Sequence, residues 1–176
     1  MKHLIILPLA AMALAASANA QTSRTTTIEK PKGSATKTMT RDKGNLTVDA
    51  IATRNSDGAT ATRTRERTKT EDGVSGSGSQ TGFNGKTRSY EYDRTRTEDG
   101  WTTTGSATDK QGRAYVYDAY GRKTDTGREN SRTISRDGAQ VYNRTGNVSR
   151  ANGQINRNVS VTRDPSFKPR KPIRRR

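Results

Sequence analysis

Four stretches decide how this chain is built: DGATATRTRERTKTEDG (57–73), NGKTRSYEYDRTRTEDG (84–100), QGRAYVYDAYGRKTDTG (111–127) and DGAQVYNRTGNVSRANG (137–153). Each opens at a polar residue followed by Gly and closes on Gly after 17 residues, and their starts lie 27, 27 and 26 residues apart. Shorter stretches join them: VSGSGSQTGF, WTTTGSATDK and RENSRTISR, with QINRNVSVTRD after the last and GNLTVDAIATRNSDG (44–58) before the first. Self-similarity at a fixed period marks a repeated supersecondary unit. Turn residues recurring between Thr-, Tyr- and Val-rich runs make that unit a hairpin. Asp-Gly and Asn-Gly suit the tight turns because those turns need positive φ. The 27 threonines are β-branched and favour a pleated, half-exposed surface over a helix.

The expected fold is therefore all-β: an antiparallel meander of about 8–9 strands built from ~27-residue hairpin repeats, a thin or single-layer sheet with disordered termini. Composition supplies the competing expectation. After residue 20 only 15 residues are Ile, Leu, Val or Phe, and the whole chain carries 33 Lys or Arg against 17 Asp or Glu. Such a chain cannot fill a two-layer core, and low hydrophobicity with high net charge is the mark of disorder. If a packed core exists, the positions of Ile134, Val116, Val141, Val148, Ile155, Val159 and Val161 place it in the second half. The Gly-Ser stretch VSGSGSQTG reads as a weak strand, because glycine brings no side chain to pack.

Successive strand residues point to opposite faces. From Gly58, one face receives Ala59, Ala61, Arg63, Arg65, Arg67 and Lys69, and the other Thr60, Thr62, Thr64, Glu66, Thr68 and Thr70. From Gly85, the same phase gives Lys86, Arg88, Tyr90, Tyr92, Arg94 and Arg96, with Thr87, Ser89, Glu91, Asp93, Thr95 and Thr97 behind them. The third unit keeps the phase at Arg113, Tyr115, Tyr117 and Lys123 but sends Tyr120 and Arg122 to the other side, and the fourth loses it.

The ends carry their own signals. Met1-Lys2-His3, the apolar run from Leu4 to Ala16 and the small residues Ala18-Asn19-Ala20 read as a secretory signal peptide over 1–20, cleaved after Ala20. An exported location follows: periplasm, cell surface or medium of a bacterium. Residues 21–43 form a Thr/Lys-rich N-terminal segment, 44–163 the hairpin-repeat region and 164–176 a basic, proline-stiffened tail expected to be disordered. Loss of Lys2 leaves 32 cations against 17 acids, a mature charge of +15.

Several chemistries are excluded by the missing residues. The only histidine is His3, and the chain has no cysteine. Residues 21–176 therefore lack the side chains for Ser-His-Asp or Cys-His nucleophiles, thiol redox chemistry and nearly all zinc sites. Carboxylate chemistry remains, but Glu71-Asp72-Gly73 and Glu98-Asp99-Gly100 read as turns rather than acid/base pairs. No phosphate-cradling glycine loop or calcium loop appears. The expectation is a non-enzymatic protein that needs no cofactor.

Rows of Arg and Tyr along one sheet face suit a polyanion: cations neutralise its charges, releasing counterions, and tyrosine rings stack on bases or sugars. The candidate binding residues are Arg63, Arg65, Arg67, Arg88, Tyr90, Tyr92, Arg94, Arg96, Tyr115 and Tyr117, with Arg174, Arg175 and Arg176 as an auxiliary arm. Partners of the right chemistry are lipopolysaccharide, acidic polysaccharide or extracellular nucleic acid. The alternatives are a purely solubilising charged face, which also discourages edge pairing, and a structural fibre or adhesin subunit that self-associates through strand edges. Trp101 and Phe83, each beside a turn, read as local packing anchors.

Tyr115-Val116-Tyr117-Asp118-Ala119-Tyr120-Gly121-Arg122-Lys123-Thr124 resembles the YD repeat of Rhs-type surface proteins. That family's pattern is Tyr-x-Tyr-Asp, two residues, Gly-Arg, then often Leu-Thr; Lys123 stands where Leu is usual. Tyr90-Glu91-Tyr92-Asp93 repeats the first half without the Gly-Arg. The resemblance implies a β-rich repeat outside the cytoplasm and an association with carbohydrate.

Overall fold

The computed structural model describes residues 21–167, so the signal-peptide reading of 1–20 and the end of the basic tail lie outside the described residues. Eleven strands follow one another: β1 (Thr22–Lys30), β2 (Gly33–Asp42), β3 (Asn45–Arg54), β4 (Thr60–Lys69), β5 (Gly73–Thr81), β6 (Thr87–Arg96), β7 (Gly100–Thr108), β8 (Ala114–Thr124), β9 (Gly127–Arg136), β10 (Ala139–Ala151) and β11 (Gln154–Arg163). Each pairs antiparallel with its sequence neighbours, in the spatial order β1 to β11. Among the described residues, strands that are not neighbours in sequence make no contact, so the meander neither closes into a barrel nor folds back as a sandwich.

The strand count corrects the expected eight or nine. The two extra strands come from the Thr/Lys-rich segment, which forms a hairpin around Pro31-Lys32 and pairs with β3. Proline fits there because it sits in the connection, where no ladder hydrogen bond needs its missing N–H.

Three of the two-residue connections are Lys43-Gly44, Asp137-Gly138 and Asn152-Gly153, with positive φ at both residues of each. That is the backbone of the tight hairpin turn whose twist matches its strands. The glycine that closes each Glu-Asp-Gly turn has another reason to be glycine. A Cβ on Gly73 would lie 1.8 Å from the Arg94 carbonyl oxygen, and one on Gly100 1.9 Å from that of Gly121. These glycines let a strand start hard against its neighbour's backbone.

Among the described residues, only Val48, Ala119 and Val141 are buried hydrophobics, and none is below 2% exposure. The small core expected in the second half is thus not formed. Of the aliphatics proposed for it only Val141 is buried, while Val116, Ile155, Val159 and Val161 are 47–61% exposed. A single layer has no second sheet to cover them. Backbone pairing and side-chain packing across neighbouring strands hold the sheet together, each cross-strand pair contributing about 0.2–1 kcal/mol.

The Gly-Ser stretch, expected to be weak, forms the whole of β5. Cross-strand tyrosines stand in for its missing side chains. A Cβ on Gly76 would meet Tyr92 Cε1 at 2.5 Å, and one on Gly78 would meet Tyr90 Cε1 at 2.8 Å. Trp101 covers Gly121 in the same way, its Cε2 lying 2.9 Å from where the Cβ would stand. An aromatic ring laid over a cross-strand glycine recovers the contact that glycine forfeits.

Candidate functional site

Residues directly opposite in an antiparallel pair share a face, so the pairing register sorts every strand residue to one side. The face that carries Arg63 on β4 carries Gln80 on β5, Arg88 on β6, Tyr115 on β8 and Arg136 on β9. Followed across the sheet, it holds Arg24, Lys30, Lys37, Arg41 and Arg54 on β1–β3. On β4–β6 it holds Arg63, Arg65, Arg67, Lys69, Arg88, Arg94 and Arg96. On β8–β11 it holds Lys123, Arg128, Arg132, Arg136, Arg144, Arg150, Arg157 and Arg163. That makes twenty strand cations on one face, with no strand carboxylate among them.

The opposite face is its complement. It takes all eight strand acids: Glu29, Asp42, Asp49, Glu66, Glu91, Asp93, Asp118 and Glu129. Its one strand cation, Arg122, pairs with Glu129. Serine and threonine fill much of the rest and bond across strands, with oxygens 3.1 Å apart in Thr25–Thr38, 3.0 Å in Thr64–Ser79 and 2.9 Å in Thr81–Thr87. Ser106 Oγ donates to Glu91 at 2.9 Å.

All ten candidate residues within the sheet fall on the basic face: Arg63, Arg65, Arg67, Arg88, Tyr90, Tyr92, Arg94, Arg96, Tyr115 and Tyr117. Arg174, Arg175 and Arg176 lie outside the described residues. Tyr120 and Arg122 turn to the opposite face, as the alternation requires. The phase expected to be lost in the fourth unit is instead restored. A register shift between Gln140 and Tyr142 inserts one extra residue, Val141, which is 3% exposed. Such a β-bulge advances the alternation by one. Beyond it Tyr142, Arg144, Val148 and Arg150 return to the basic face. The cations of β9 were missed although Arg128, Arg132 and Arg136 recur every four residues, the period-two signal in the joining stretch.

Among the described residues, only Arg54 of these twenty cations is in an ion pair, to Asp57 in the adjoining turn at 2.9 Å. A few of the others contact uncharged or aromatic groups. Arg88 Nε donates to Gln80 Oε1 at 3.2 Å. The Arg94 guanidinium lies 4.2 Å from the Trp101 ring centroid, and that of Arg132 lies 5.6 Å from Tyr117. Cations held over rings keep their charge available. Trp101 is thus a packing anchor on Gly121 with an arginine above it, and Phe83 holds Arg54 at 5.0 Å.

A shallow hollow of about 280 Å³ opens on the basic face, bounded by Arg63, Gly78, Arg88, Tyr90 and Tyr115. At its rim Asp109 organises the turn between β7 and β8. Its carboxylate accepts from the backbone N–H of Gln111 and Arg113, from Arg113 Nε at 2.7 Å and from the Tyr115 hydroxyl at 3.1 Å. Partial desolvation works against the ionised form. The bonds from Arg113, Gln111 and Tyr115 outweigh it and bring the pKa of Asp109 down to about 2. This acid is spent internally, and it fixes both Arg113 and Tyr115.

Among the described residues there is no group of three or more acids placed to hold a metal ion, and no helix long and apolar enough to cross a membrane. No protein-family model matches the chain, nor does any curated protein or solved structure.

Proposed function

We propose that this chain is a non-enzymatic, exported protein that binds anionic polymers through its basic-aromatic face at the bacterial envelope or outside the cell. The observation that carries the reading is the separation of charge, broken only by Arg122: twenty cations and no carboxylate on one side of the strands, eight acids and one cation on the other. Solubility alone asks for mixed charges on both faces. Concentrating one sign on one face raises self-repulsion, and a polyanion relieves it while releasing its counterions. Lipopolysaccharide phosphates, acidic polysaccharide and extracellular nucleic acid share this chemistry. The basic tail is an additional arm in this reading, and the signal sequence supplies the route out.

Retention of the mature chain on heparin and DNA columns tests it. Binding is expected to weaken steeply with salt, the slope of log K against log salt being about −0.7 to −0.9 per phosphate contact on DNA. No retention, or retention indifferent to salt, overturns the proposal.

A second reading, self-assembly through strand edges, is favoured by one observation. Among the described residues nothing pairs with the outer backbone edge of β11, which exposes Ile155, Val159 and Val161 at 61%, 47% and 55%. Long apolar edges template further pairing. Fibres formed without polyanion, and abolished by Val159→Lys, would support that reading over the first.

A further inference from the structure

The three strands β4, β5 and β6 repeat one arrangement twice, in direct register across the basic face: Arg65 opposite Gly78 opposite Tyr90, and Arg67 opposite Gly76 opposite Tyr92. Each triplet is a cation, a bare floor and a ring. The rings of Tyr90 and Tyr92 lean over the two glycines with their planes within 13° of each other and their centroids 6.5 Å apart. The Cε1 and Cζ atoms of each ring cover its glycine, Tyr90 is 37% exposed and Tyr92 is half-buried. Arg63 and Lys69 extend the cation ladder by one position at either end, and alternate residues of a strand repeat at about 6.8 Å.

We propose that this track binds an extended single strand of nucleic acid, with successive phosphates on the β4 ladder and successive bases stacked on Tyr90 and Tyr92. The inference rests on the polyanion reading above and narrows it to a ligand class. Two features select that class. The ladder and the rings share one step, as the phosphate and base of a nucleotide do, and it is the interval one extended nucleotide spans. A B-form duplex does not fit, because its bases face inward, stacked on one another, and cannot lie on the two tyrosine rings. The charge and the stacking surface also belong to different strands. A nucleotide holds its phosphate and base apart through the sugar, whereas an acidic sugar carries its carboxylate on the same ring that would have to stack. β5 matters because side chains at Gly76 and Gly78 would displace both rings.

The test uses the mature chain and fluorescence anisotropy with four labelled probes of equal charge: oligo(dT), oligo(rU), an abasic oligodeoxynucleotide and a short DNA duplex. The expected result is oligo(dT) or oligo(rU) binding more tightly than the abasic strand and the duplex, whichever of the two is tighter identifying DNA or RNA. Tyr90→Leu and Tyr92→Leu, which keep the glycines covered, each cost roughly tenfold on oligo(dT), the value of one base–aromatic stack, and leave the abasic strand unaffected. Tyr90→Phe and Tyr92→Phe retain binding, since the ring is what acts. Equal affinity for all four probes overturns the single-strand inference and leaves the polyanion reading standing. Failure of every probe, and of heparin, overturns both.

Discussion

The two faces of this sheet share one backbone and one pattern of hydrogen bonds, yet they differ in almost every side chain. One presents arginine, lysine, aromatic and aliphatic residues; the other presents serine, threonine and carboxylates that bond across strands. The hydroxyl face satisfies itself, pair by pair. The basic face does not, because its cations have no opposite charge within the strands. What the difference teaches is that a single layer can satisfy one face within itself while the cations of the other have no opposite charge within the strands. Rings laid on glycines are the exception, since they lie on the basic face and pack on the strand beside their own.

The comparison can be broken most forcefully at the ladder. Arg63→Glu, Arg65→Glu and Arg67→Glu together remove three contacts and add three repulsive charges, so affinity for heparin or DNA should fall on the order of 10²-fold. Glu66→Lys and Glu91→Lys on the other face should change it far less. Titration at fixed salt, with circular dichroism to show the sheet intact, reads both results.

The glycine floor is the next target. Gly78→Val drives a side chain into the Tyr90 ring and toward the Thr64 carbonyl oxygen, whose distance from a Cβ would be 2.9 Å. Urea melts should show a loss of about 1–3 kcal/mol, the usual range for overpacking. Ser77→Val, one residue away on the hydroxyl face, should stay within about 0.5 kcal/mol of the parent.

Acid sharpens the contrast at the β7–β8 turn. The folded pKa of Asp109, about 2, lies below that of the unfolded chain. The ionised carboxylate therefore contributes stability that is present above about pH 4, and this is lost as pH falls from there through the folded pKa. Melts between pH 6 and pH 2 should show a drop that Asp109→Asn reduces. The smallest effect is expected from the hydroxyl pairs: Thr25→Val, which removes one exposed Thr25–Thr38 bond, should cost less than about 1 kcal/mol.

Much of this was legible in the residues, for identifiable reasons. Alternation along 59–69 and 86–96 is uninterrupted, so the faces of β4 and β6 could be read directly. The N-terminal hairpin was not, because its turn is Pro31-Lys32 rather than a polar-Gly pair. The fourth unit hid its phase behind one bulged residue, and a bulge leaves no compositional mark when the extra residue is an ordinary valine. The cover over β5 was invisible along its own sequence, since the side chains that supply it belong to β6, a hairpin away. Low hydrophobicity argued for disorder because it counts apolar residues without asking where the aromatic ones lie.

The central claim, that one face alone meets a polyanion, is open to direct measurement because the chain has no native cysteine. Single substitutions along β7, Thr103→Cys and Ala107→Cys on the basic face and Thr104→Cys and Ser106→Cys on the hydroxyl face, place thiols on alternate sides of one strand. The rate of thiol alkylation with and without saturating heparin then reports each face separately. The expected result is slowed alkylation at 103 and 107 with unchanged rates at 104 and 106. Equal slowing at all four positions, or at none, would contradict it.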